Sequence, residues 1–180
     1  MGLTRALLGG LTALALSAAA PAVRGDTPAY AIKAAYLYKF APFVGWPSTA
    51  FASPSSPFRL CILGDDPFGA ILDQAVSGHT VDDHPIEVLR VQSADAASGC
   101  HILYFNALRN AAMAETFNHL RGSPVLTVTE ENSAHAEGVI QFVIRDGHVR
   151  FAIDATAAAA NGVTISSKLL SLAVPLKTGF

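Results

Sequence analysis

The residues with chemistry to offer are two cysteines, Cys61 and Cys100, and six histidines at positions 79, 84, 101, 119, 135 and 148. Side chains of these types hold metals, close disulfides or attack substrates. Metal binding has little to build on here. There is no H-E-x-x-H motif and no close histidine pair on one helix, and no histidine stands at ligand spacing from either cysteine. Ser166-Ser167-Lys168 places Ser166 and Lys168 two positions apart, which turns their side chains away from each other on a helix. No G-x-S-x-G elbow offers another nucleophile.

The stretch Gly64-Asp65-Asp66-Pro67-Phe68-Gly69 follows an apolar run, where an α/β fold puts its ligand loop. It is neither a G-x-G-x-x-G nor a Walker loop. Asp65 and Asp66 could bind a cation, or cap the helix that follows, the simpler role. Asp65, Asp66 and Phe68 therefore form a candidate ligand loop. A phosphorylated receiver needs an aspartate after its third strand, whereas Asn106 follows Phe105 here, and an amide cannot become an acyl phosphate. No catalytic residue, metal or cofactor is expected.

These residues need elements to position them. Tyr30 to Val44 predicts an amphipathic helix with Ile32, Tyr36, Phe40 and either Phe43 or Val44 on its apolar face. Pro42 should kink or end it. Gly45-Trp46-Pro47 leads into a Ser/Pro-rich loop, Ser48 to Pro57. Strands are predicted at Phe58–Leu63, Ile86–Val91, Cys100–Phe105 and Pro124–Thr129, with helices at Phe68–Val76 and Leu108–Leu120. Strands alternating with helices imply a parallel sheet. Val139–Ile144 and His148–Ile153, joined by Arg145-Asp146-Gly147, read as an antiparallel edge hairpin. An alanine-rich stretch from Ala155 then leads to a closing helix, Ile165–Leu176. The expected fold class is α/β: a single compact domain with a mostly parallel central sheet, flanking helices, a C-terminal hairpin and a closing helix.

Residues 1–22 read as a cleaved signal peptide: Arg5, the apolar run Ala6–Leu16, then small residues from Ala18 to Ala22. The run falls short of the roughly 20 apolar residues of a spanning helix. Residues 23–180 then form one exported domain, large enough for its own core. The chain has 12 basic and 14 acidic residues, net −2, with no basic block, so nucleic acid is a poor partner. No second apolar run is long enough to insert into a membrane. In an oxidising compartment an even cysteine count favours a Cys61–Cys100 disulfide over two buried thiols.

Tyr36, Tyr38, Phe40, Phe43 and Trp46 crowd one short stretch. Tyr36, Phe40 and Phe43 fall on the apolar helix face. Tyr38 and Lys39 lie off it and Trp46 lies beyond the helix. These three are the candidate partner-binding residues, since Tyr and Trp are enriched at interfaces.

Six segments in order resemble the YfiR family of bacterial periplasmic proteins. They are Lys33-Ala-Ala-Tyr-Leu-Tyr-Lys-Phe-Ala-Pro-Phe-Val-Gly-Trp-Pro47, Cys61-Ile-Leu-Gly-Asp-Asp-Pro-Phe-Gly69, Cys100-His-Ile-Leu-Tyr-Phe105, Leu126-Thr-Val-Thr-Glu130, the hairpin from Gly138 to Asp154, and Ile165-Ser-Ser-Lys-Leu-Leu-Ser-Leu-Ala173. The resemblance implies a compact α/β fold and a periplasmic regulator that is not an enzyme. Its partner would be the periplasmic domain of a membrane-anchored diguanylate cyclase, held inactive so that cyclic di-GMP stays low and biofilm formation is restrained. A homodimer is compatible with this, and Cys61 and Cys100 match a cysteine pair of the family pattern. Three features depart from that pattern. Pro42 replaces a polar or basic residue, Gly45 an acidic one, and His135 an aromatic in a shortened Ser133–Gly138 segment. No cysteine follows Cys100. The alternative reading is a periplasmic small-molecule-binding module serving a sensor kinase or an outer-membrane receptor.

Overall fold

Apolar side chains alternate across β-strands, so a strand with two apolar faces must be covered on both sides. The computed structural model meets that demand with three layers. It describes residues 28–106, 110–131 and 138–176, with the side chains of 106 and 110–113 excepted. The expected signal peptide and His135 lie outside the described residues.

In chain order the elements are α1 (Pro28–Phe40), β1 (Val44–Gly45), β2 (Phe58–Gly64), α2 (Ala70–Val76), β3 (Thr80–Val81), β4 (His84–Val91), α3 (Ala94–Ala97), β5 (Ile102–Asn106), α4 (Asn110–Leu120), β6 (Leu126–Glu130), β7 (Ile140–Arg145), β8 (His148–Ile153), α5 (Ala155–Ala160), β9 (Thr164–Ile165) and α6 (Ser167–Leu170). A seven-stranded sheet runs β3-β4-β2-β5-β6-β7-β8. Strands β4, β2, β5, β6 and β7 are mutually parallel, and β3 and β8 pair antiparallel at the two edges. The expected α/β class, mostly parallel sheet and edge hairpin are all present.

Phe58, Leu60 and Ile62 of β2 enter the larger core cluster, beneath Leu37 and Phe40 of α1, Leu72 of α2, Ala158 of α5 and Leu169 of α6. Cys61 and Leu63 point the other way, to Ala97 of α3 and Leu120 of α4. The disulfide Cys61–Cys100 stands in this second layer, with the Cα atoms 5.9 Å apart and 39 positions between them in sequence. It ties β2 to the entry of its neighbour β5, the middle strand of the seven.

Two expectations are corrected. The buried face of α1 is Lys33, Ala34, Leu37 and Phe40, and Ile32 is 46% exposed. Periodicity had ranked apolar residues only, and a lysine occupies the inward position instead. The closing helix is one turn, α6. Thr164 and Ile165 instead form β9, which pairs antiparallel with Val44 and Gly45 of β1. A Cβ on Gly45 would collide with Thr164 Oγ1, so only glycine permits this approach. Further on, Val174 donates its N–H to Phe151 O at 2.9 Å and bridges Ala152, the only cover on the outer side of β8 among the described residues.

Candidate functional site: rings and histidines at the amino ends of the strands

At the carboxyl ends of the parallel strands, where a ligand loop is expected, the charges face one another. Asp66 Oδ1 accepts N–H groups from Phe68 at 2.7 Å and Gly69 at 3.1 Å, and its Oδ2 accepts from Arg90 Nε at 2.9 Å. Arg90 also donates to Asp73 at 2.8 and 2.7 Å and to Gly69 O at 3.0 Å. This guanidinium holds the Asp73 carboxyl below the usual carboxylate range. Asp66 therefore shapes the turn rather than capping α2, whose N-terminus at Gly69 has no side-chain cap. Phe68 is buried edge-on to Tyr30 and Tyr104. Asp65 is exposed on the same turn.

Beside this loop lies a network that sequence reasoning missed. Lys33 Nζ reaches both oxygens of Glu130, at 2.8 and 2.7 Å, and the Tyr104 hydroxyl donates to Glu130 Oε1 at 2.7 Å. The ammonium also stands 5.0 Å from the centroid of the Tyr30 ring. Burial, reinforced by the Glu130 carboxylate, pushes the Tyr104 phenol up, so it stays protonated and donates. The signal was present: a lysine one position from the supposed apolar stripe, and a glutamate ending the apolar strand Leu126–Thr129. The network locks the first half of α1 onto β5 and β6.

Helix α1 runs from there to the amino ends of the strands and carries Tyr38 and Lys39 with it. Tyr38 stacks on His79, with centroids 4.8 Å apart, and Lys39 Nζ lies 5.9 Å from the Tyr38 ring. His79 O accepts the Ile86 N–H, and Ile86 is paired with Phe58. On Phe58 stands Trp46, edge-on at 5.4 Å, with its Nε1 donating to Ala41 O at 3.3 Å. The three nominated interface residues are thus gathered at one end of the molecule, Lys39 exposed and both rings half-buried.

The missed member of this group is His101. It is buried and sandwiched between Phe51, at 4.5 Å, and Phe58, at 4.7 Å, with Trp46 edge-on at 5.8 Å. Both ring nitrogens are occupied. Nδ1 accepts the Arg59 N–H at 3.0 Å, which makes Nε2 the protonated nitrogen, and Nε2 donates to Ala50 O at 3.0 Å. Burial pulls the His101 pKa down to about 4, with nearby His84 and Arg59 adding to the effect against the hydrogen bond to Ala50. Phe51 stacks in turn on His84 at 4.0 Å, and His84 Nδ1 donates to Ser56 O at 2.6 Å. A shallow cleft of about 360 Å³ lies alongside, lined by Val76, His79, Thr80, Pro85, Ile86 and Val88 among others.

Three layers, one internal disulfide and a cluster of stacked rings define a class: a stapled α/β domain. Among the described residues, no group of three or more His, Cys, Asp or Glu side chains is arranged to hold a metal ion. No helix among them is long and apolar enough to cross a membrane. The chain belongs to the YfiR/HmsC-like family, whose pattern matches residues 30–174. Comparison with curated proteins finds no match. The family is in general one of periplasmic regulators of diguanylate cyclases, not of known enzymes.

Proposed function

We propose that this protein binds the periplasmic sensor region of an inner-membrane diguanylate cyclase and holds the enzyme inactive, lowering cyclic di-GMP. Family membership across residues 30–174 carries the reading. The patch around Tyr38, Lys39 and Trp46 supports it as the contact face. Its rings are half-buried and held by neighbours, so little side-chain freedom is lost on binding. Repression follows from differential affinity: a partner that binds the inactive cyclase more tightly than the active one shifts the population toward the inactive state.

The test is intracellular cyclic di-GMP in a strain lacking the gene, beside strains restored with wild type or with Tyr38→Ala/Trp46→Ala. A rise on deletion, reversed by wild type and not by the double variant at equal expression, is the expected result. An unchanged level on deletion, with the wild-type protein shown to be exported, overturns the repressor reading. Full restoration by the variant removes the patch from it.

A further inference from the structure

The segment from Trp46 to Pro57 crosses the amino ends of β2 and β5 and contains one short 3-10 turn, Ser48–Ala50. Two histidines fasten it in chemically different ways. His84 donates from Nδ1 to Ser56 O, and a second proton on its ring leaves that bond in place. His101 accepts at Nδ1 and donates at Nε2. A second proton there would point an N–H at the Arg59 N–H, so the acceptor of that backbone donor is lost.

The charge would also arrive in a poor setting. The ring lies between Phe51 and Phe58 with Trp46 on its edge, and aromatic carbon cannot hydrate an imidazolium. The titratable and charged groups facing this cluster are Arg59 of β2, itself 3.5 Å from Glu87 of β4, and His84 beyond the Phe51 ring. Arg59 is a cation, and Glu87 is already occupied with it. No carboxylate hydrogen-bonds the ring of His101.

We propose that His101 is a proton-operated clasp. As a neutral ring it bridges the Arg59 N–H of β2 to Ala50 O and so pins the Trp46–Pro57 segment to the sheet. A proton on Nδ1 sets the ring against the Arg59 N–H and expels it from between Phe51 and Phe58. With the ring gone, Ala50 O loses its donor and Trp46 one of its supports. The event takes one proton from solvent and breaks no covalent bond. Cys100, the residue just before His101, is anchored to β2 through the disulfide, so the strands stay in register while the segment lets go. The consequence for the cyclase rests on the patch being its contact face: acidification would loosen the complex and relieve repression.

Trp46 is the sole tryptophan of the chain and reports the clasp directly. Emission is followed from pH 7.5 to 4 beside far-ultraviolet circular dichroism. The expected result is a reversible red shift at constant secondary structure, absent in His101→Gln, whose amide can accept and donate without titrating. The shift persists in His84→Gln. Amide-exchange protection at Arg59 in the wild type is the second readout, independent of whether His101→Gln folds, and it falls in step with the emission change. Wild-type emission and Arg59 protection that stay constant to pH 4 overturn the clasp, as does an unaltered transition in a folded His101→Gln. Binding of the cyclase sensor domain at pH 7.5 separates the two ideas: no binding there refutes the partner reading, while the tryptophan and exchange data still decide the clasp.

Discussion

At the scale of single residues, the two most informative side chains are a lysine and a histidine that would ordinarily face water. Lys33 is 9% exposed and its partner Glu130 is 30% exposed, so the pair is neither a surface bridge nor a sealed one. Surface pairs contribute ~0–1 kcal/mol and breaking buried ones costs ~3–5 kcal/mol. Lys33→Met should therefore lower stability by about 2 kcal/mol in urea denaturation, by interpolation between those limits. Adding Glu130→Gln should recover part of that loss, because the negative charge that has lost its ammonium is gone while Tyr104 keeps an acceptor. His101 makes a pH prediction of definite sign. Its pKa falls from 6.5 to about 4 on folding, so between these values the unfolded chain binds more protons than the native one. Its contribution is complete above about pH 6.5 and is lost as pH falls toward 4. Urea midpoints at pH 7 and pH 5 should differ more for wild type than for His101→Gln. Neither residue was legible beforehand, since their partners lie far along the chain: Glu130 is 97 positions from Lys33, and Ala50 is 51 from His101. A one-dimensional periodicity sorts residues by polarity and cannot see a partner.

At the scale of elements, sequence reading succeeded where one local rule sufficed. The Arg145-Asp146-Gly147 hairpin is an example: Asp146 and Gly147 take positive φ of 51° and 74°, the twist that a two-residue turn needs. The same geometry recurs at Asp82 and Asp83, with φ of 45° and 70°, and joins β3 to β4. That turn went unread because Asp-Asp is a weaker signal than Asp-Gly, and β3 is only two residues long. Pro42 ended α1 as expected, and Asp154 caps α5 through the N–H groups of Thr156 and Ala157. The closing helix failed for a different reason. Thr164 and Ile165 have β propensity, but their strand becomes visible only when β1, more than a hundred residues earlier, is set beside them. Gly45 tests that pairing. Gly45→Ala should cost about 1–3 kcal/mol through overpacking against Thr164 Oγ1. Thr164→Ala in the same chain should restore most of the melting temperature, because it removes the atom that collides.

At the scale of the whole molecule, the disulfide closes a span of 39 positions and sits in the smaller core, Cys61 fully buried and Cys100 4% exposed. A reductant cannot reach it without opening that layer. Native protein should keep the bridge under dithiothreitol and surrender it only when urea is added, as read by thiol labelling. Once the bridge is absent, as in Cys61→Ala/Cys100→Ala, the unfolding free energy should drop by about 2–5 kcal/mol. This pairing was legible early, since two cysteines leave one intramolecular choice once export is expected. The candidate site was legible in part: Tyr38, Lys39 and Trp46 were nominated from their density and phase, whereas His101, which ties Trp46 to the sheet, was not.

The outer side of β8 has a practical meaning for anyone handling the protein at high concentration. Among the described residues only Val174 covers it, at one point, and a strand border open beyond that point invites a second copy to continue the sheet. His148 and Arg150 are exposed along that border. Two chains meeting there head to tail would bring one Arg150 toward the other, and like charges across such a seam repel. Arg150→Val should remove that guard, and light scattering should then show association growing with concentration where the wild type stays dispersed. On that expectation a single guanidinium separates a solution that keeps in the refrigerator from one that seeds its own precipitate.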